Sequence, residues 1–169
     1  MVRPYRDRRP AVVDSAYIDP SAQVIGDVAI GERANIWCNV TIRADVHHIR
    51  IGDETNVQDN TCLHVDYDKP TILGERVTIG HSCTIHGCEI GDDCLIGMGA
   101  TVLSGAKIGK ESLVAAGSLV LEGQEIPARS VVMGSPAKVR RQVSDEDLEK
   151  MRDNAQRYVG LGREYGEQS

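Results

Sequence analysis

Residues 80–88 read GHSCTIHGC, two histidines and two cysteines within nine positions. Imidazole nitrogens and thiolates are common transition-metal ligands, and a thiolate is also a redox-active nucleophile. The spacing fits no zinc finger. There is no C-x2-C partner, and His81 and His86 are five apart, one too many for one face of a helical turn. Whether this stretch is a metal site, a redox site or part of a small-residue core depends on the element that carries it.

That element is announced by an internal repeat. Aliphatic residues recur every sixth position at Val12, Ile18, Val24, Ile30, Ile36 and Ile42, then at Ile51, Val57 and Leu63, then at Leu73, Ile79 and Ile85. They run on through Ile90, Ile96, Val102, Ile108, Val114, Val120, Ile126 and Val132. Glycine often follows the aliphatic, and a small residue such as Ala34, Cys83, Cys94 or Ala100 often stands two positions before it. A period of six is neither helical nor a plain strand alternation; it is the signature of a parallel β-helix. The chain is therefore expected to be an all-β solenoid over 11–136, a left-handed parallel β-helix of hexapeptide repeats with three strands per triangular coil. After Pro136 the repeat stops. Ser144 and Asp147 resemble a capping box, and Leu148, Met151, Ala155 and Val159 follow at helical spacing, so a C-terminal α-helix over 144–160 is expected to pack along the solenoid.

Composition agrees with such a core. Among 169 residues there is no Phe, one Trp and 17 Gly, which suits an interior too narrow for large rings. A net charge of −6 argues against a nucleic-acid or anionic-membrane partner. No apolar run reaches membrane-spanning length, and MVRPYRDRRP lacks the apolar core of a signal peptide, so a cytoplasmic protein is expected. Five cysteines are an odd number for a disulfide framework.

The register breaks three times: three extra residues after Ile42, four after Leu63, and one missing before Ile90. The histidines cluster around these breaks. Sorting hexads into faces puts Arg43, His64 and His86 directly after inward aliphatics in consecutive coils, where alternation turns them outward. Coils are about 4.8 Å apart, so His64 and His86 can reach one metal ion. His81 falls on a different side of the prism, the one that carries Trp37, Gln58 and Asp59. If these two sides pack between neighbouring chains, the contact is heterologous and must close, and a triangular prism points to a homotrimer. Three imidazoles would leave one position of a tetrahedral metal open, as in catalytic zinc sites. His47 and His48 read as loop residues of an inserted corner. Cys83 and Cys94 occupy the small inward position, and Cys38, Cys62 and Cys88 have no visible role.

IRAD at 42–45, NVQDNTCLH at 56–64 and GHSCTIH at 80–86 resemble the γ-class carbonic anhydrases. The resemblance implies a trimer with metal at its subunit interfaces, ligated by His64, His81 and His86. Zn2+ is the expected cofactor, with Fe2+ or Co2+ equally suited to neutral imidazoles. It implies reversible hydration of CO2 to bicarbonate, with Gln58 beside the reacting oxygen and with Arg43, Asp45 and Asp59 tying neighbouring chains together; an Arg43–Asp59 ion pair between subunits is expected. NAQRYVGLGREY at 154–165 resembles the tail of the shorter bacterial and archaeal members, in which a Tyr like Tyr158 approaches the site. The prototype methanogen enzyme has Glu directly after its RAD motif, where this chain has Val46, and a long acidic loop, where this chain has only VDYDKP with Asp66 and Asp68. Segment 126–141 also resembles the terminal coil of hexapeptide acyltransferases. Acyl transfer, thioester hydrolysis and a non-enzymatic metal- or siderophore-binding trimer are the alternative readings.

Overall fold

In a computed structural model describing residues 1–168, the chain is a parallel β-solenoid of about seven turns, matching a left-handed hexapeptide β-helix, with a single C-terminal helix. Inward aliphatics stack in register from coil to coil: Ile42 on Leu63, Leu63 on Ile85, Ile85 on Val102, Val102 on Val120. All five are fully buried. Each such side chain contributes roughly 1.5–3 kcal/mol relative to an exposed one. The small residues between the rungs, Ala22, Ala34, Cys83, Cys94 and Ala100, are buried too, so they fill the prism corners where a larger side chain would collide. Burial pushes the Cys83 thiol up to about 11 and those of Cys88 and Cys94 to about 12, leaving these thiols protonated members of the core.

The third residue after each inward aliphatic commonly turns the corner in the left-handed region, including non-glycines such as Arg33, Asn60, Ser82 and Asp93. The glycine that follows many aliphatics answers to a different constraint. A Cβ on Gly97 would lie 2.5 Å from the Ala116 amide nitrogen of the next coil, so coil stacking itself excludes a side chain there.

Two sheets result. One holds the strands of a single prism face, from Tyr17–Ile18 to Ser130–Met133. The other joins the remaining two faces through the long strands Gln23–Ile30 and Thr41–Ile51. The three residues inserted after Ile42 therefore extend a strand across the corner rather than forming a loop. His47 and His48 lie on that strand with half-buried side chains and ring centroids 4.6 Å apart, which corrects their reading as loop residues.

The ends also differ from expectation. Val2–Arg3 already pairs with Gln23–Ile30, so sheet pairing begins before residue 11. Past Pro136, Lys138–Gln142 folds back antiparallel on Ser130–Met133; its exposed residues carry no inward row to reveal it in the sequence. The helix runs Asp145–Glu167 from a true Ser144/Asp147 capping box, seven residues beyond the expected end. It continues because its far end still has a surface to cover. Gly162 is buried where a Cβ would come within 3.0 Å of the Asn35 Cβ, and Tyr158 and Tyr165 stand edge-on to Trp37. Trp37, on a side of the prism expected to pack against a neighbouring chain, is thus 6% exposed beneath the chain's own helix. Arg152 anchors the helix to Asp93 and Glu111 of the solenoid corners. Among the described residues, no helix is long and apolar enough to cross a membrane.

Candidate metal centre

The site grows from the corner at which all three register breaks fall. His64 and His86 end the strands Cys62–His64 and Thr84–His86 and are direct register partners on adjacent coils. Their rings lie 5.1 Å apart, with His64 Nδ1 and His86 Nε2 separated by 3.1 Å. The other nitrogen of each ring is held by an oxygen. Asp45 Oδ1 lies 3.0 Å from His64 Nε2, and Ser104 Oγ lies 2.9 Å from His86 Nδ1. Arg43 is hydrogen-bonded to Asp45. Burial raises the Asp45 carboxyl, but the His64 and Arg43 hydrogen bonds outweigh it and hold this group below its ordinary range. Burial and then the neighbouring His64 lower the His86 pKa, which favours the neutral imidazole.

His81 stands on the other row. Asp59, His81 and Met98 stack coil on coil, with the His81 carbonyl accepting from Gly99 and the Asp59 carbonyl from Ser82. His81 Nδ1 lies 2.9 Å from Asp59 Oδ2. Each of the three imidazoles therefore has one nitrogen engaged by an oxygen and one turned elsewhere, the pattern by which outer groups orient metal-binding histidines. Within one chain only two of them meet: among the described residues, no group of three or more His, Cys, Asp or Glu side chains is placed to hold a metal ion.

Of the other site candidates, Gln58 and Tyr158 lie on the side of Asp59 and His81. Gln58 is buried and its Nε2 donates to Asn56 Oδ1 at 3.0 Å, while Asn56 Nδ2 donates to Thr78 Oγ1, which also accepts from Asn154 of the helix. Sequence reading missed this Asn56–Thr78–Asn154 chain, because it joins residues 76 positions apart across the solenoid–helix contact. Burial, then the charge of Asp59, raises the Tyr158 pKa, so its phenol remains a hydrogen-bond donor at neutral pH. Arg43 and Asp59 do not pair within the chain; their partners there are Asp45 and His81. Ser104 is a second residue that the sequence did not flag, since it lies outside the motifs around the histidines.

The fold defines a hexapeptide-repeat β-helix protein, with three imidazoles set on two outward rows. A family profile described as bacterial transferase hexapeptide (six repeats) matches residues 87–122. The chain is 42% identical to the carbonic anhydrase of Geobacillus kaustophilus over 98% of its own length and 91% of that protein's. It is 41% identical to the mitochondrial gamma carbonic anhydrase 2 of Arabidopsis thaliana over 93% of its length, and spans 59% of that longer relative. A solved Bacillus cereus structure, described as an acetyltransferase candidate, superposes with a TM-score of 0.98 at 41% identity, covering 99% of this chain and 98% of that one. The chain belongs to the γ-class carbonic anhydrase family.

Proposed function

We propose that the protein catalyses the metal-dependent reversible hydration of CO2 to bicarbonate at the interfaces of a homotrimer. The observation that carries this reading is the state of the three imidazoles. Asp45, Ser104 and Asp59 occupy one nitrogen of His64, His86 and His81, leaving Nδ1, Nε2 and Nε2 respectively as ligand atoms. Three neutral nitrogens fit Zn2+, Fe2+ or Co2+. When bound, such an ion supplies a Lewis acid that shifts the pKa of a coordinated water toward neutrality, as is known for carbonic anhydrases generally.

The trimer is supported by the order of two outward rows. One reads Arg43, His64, His86, Leu103; the other reads Asp59, His81, Met98, Ala116. His64 and His81 follow the inward aliphatics of one coil, Leu63 and Ile79. A neighbour related by rotation alone, without axial shift, would set polar against polar at one end and apolar against apolar at the other. His81 of one chain would then complete the His64/His86 pair of the next.

This chain's own residues have definite tasks in that arrangement. Asp45 and Asp59 orient imidazoles. Gln58, its amide fixed by Asn56, offers Oε1 to accept a hydrogen bond from the reacting water or bicarbonate. Tyr158 donates a hydrogen bond near Asp59. Leu103 and Met98 exclude bulk water from one side of the seam.

Metal analysis of anaerobically purified protein, with CO2 hydration measured on the same sample, tests the proposal; a metal-replete trimer inert toward CO2 at every buffer concentration overturns it. Acyl transfer is the second reading, favoured by the description of the Bacillus cereus structure. Release of free thiol from acetyl-CoA in the presence of candidate acceptors distinguishes it.

A further inference from the structure

Ser104 and Asp66 lie outside the histidine motifs, yet they form one chain with His86. Ser104 Oγ is 2.9 Å from His86 Nδ1 and donates to Asp66 Oδ2 at 3.1 Å. A hydroxyl has a single proton. Because Ser104 gives it to the Asp66 carboxylate, the same oxygen can only accept from His86. His86 must then carry its hydrogen on Nδ1, leaving the Nε2 lone pair toward His64.

The local backbone is built to hold this chain. Gly87 turns the corner at φ +54°, and a Cβ there would lie 3.2 Å from Ser104 Oγ and 3.4 Å from the Asp66 Cβ. Thr71 Oγ1 accepts from the Gly87 amide and donates to the His64 carbonyl at 2.5 Å, stitching the end of the inserted loop to both histidine strands. Lys69 packs its stem against Gly105 and closes a turn with Asp66. The short loop thus lies flat over Gly87 and Gly105, with the Asp66 carboxylate on Ser104.

We propose that Ser104 and Asp66 are positioning residues that lock His86 in the Nδ1–H tautomer, so that Nε2 is the ligand atom of the proposed metal centre. The inserted 65–70 loop exists to deliver this carboxylate. The metal-affinity part of the proposal rests on the function proposed above; the tautomer part does not.

The test is nitrogen-15 NMR of histidine-labelled full-length protein, metal-stripped and held above the pH at which imidazoles protonate. With five histidines, the His86 signals are assigned by their loss in His86→Gln. Wild type and Ser104→Thr, which keeps the hydroxyl, should show a single Nδ1–H tautomer at His86. Ser104→Ala and Asp66→Ala should show a tautomer mixture, while His81, held by Asp59, stays unchanged. Competitive chelation should then show metal affinity reduced about 10–100-fold in Ser104→Ala and close to wild type in Ser104→Thr. An unaltered His86 tautomer in folded Ser104→Ala overturns the proposal whatever the enzyme's activity. The expected tautomer change without CO2 hydration in wild type would leave the positioning role standing and remove only the reaction assigned to the site.

Discussion

His64 Nδ1 and His86 Nε2 face each other at 3.1 Å across one coil step, and when both rings are neutral the groups behind them leave each of these nitrogens a lone pair. Asp45 takes the His64 hydrogen at Nε2, and Ser104 takes the His86 hydrogen at Nδ1. Two lone pairs directed at one another repel, and a cation between them removes the repulsion.

Metal removal should therefore destabilise the protein. A ligand at 100 times its Kd stabilises the folded state by about 2.7 kcal/mol. For a chain of this size that corresponds to a rise of roughly 5–10 °C in Tm. Calorimetry with chelator and with added Zn2+ measures it, and the shift should vanish in His64→Ala.

Complementation tests the shared site. His64→Ala and His81→Ala should each lack metal. Dissociated, mixed and reassembled, they should recover metal in those interfaces that pair an intact His64/His86 row with an intact His81. Mixed trimers that form without regaining metal would contradict a site shared between chains.

Arg43→Ala releases Asp45, which holds His64 Nε2. It also removes the cation expected to meet Asp59 of a neighbour. Trimer stability and metal occupancy should fall together, by sedimentation and metal analysis of one sample. Unchanged values for both would remove Arg43 from the interface.

Proton release should limit turnover. The acids of the short loop are already engaged, Asp66 by the Tyr67 amide and Ser104 and Asp68 by Lys69, and these bonds hold both carboxyls below their ordinary range. Such weakly basic groups are poor proton acceptors at neutral pH. The rate of CO2 hydration should thus rise with imidazole buffer concentration. Tyr158→Phe should alter the rate without abolishing it.

Asp93 governs acid stability of the helix–solenoid contact. Burial raises its carboxyl, but hydrogen bonds from Arg76 and Arg152 outweigh that and depress it. A depressed carboxyl contributes stability that is present above its unfolded pKa of about 3.9 and is lost as pH falls through the folded value. Asp93→Asn should cost about 1–3 kcal/mol at pH 7. The gap to wild type should close as acidification passes the unfolded value and then the depressed folded one, as urea titrations at successively lower pH would show.

Much of this molecule was legible because a β-helix is written in single-residue periodicity. An aliphatic every sixth position with a small partner two places earlier leaves one way to bury the apolar row, and the coil count and the outward direction of His64 and His86 follow from it. The same reasoning failed where a segment's partner is far away in the chain. Nothing local tells that three residues after Ile42 lengthen a strand, since its pairing is decided by Gln23–Ile30 and Thr71–Leu73 on either side. Nothing local carries the helix beyond residue 160, since Gly160 and Gly162 look like stop signals until Asn35 and Tyr17 are in place beneath Gly162.

The sequence by itself determined the solenoid, the rows on its corners and the residue types that can bind a metal, because these depend on spacing along one strand path. Only the tertiary structure decided which nitrogen of each imidazole is engaged. That choice belongs to Asp45, Asp59, and Ser104 with Asp66, whose oxygens reach the rings across coils 19, 22 and 18 positions away in sequence. A hydrogen bond of about 3 Å selects a tautomer through geometry that no periodicity encodes.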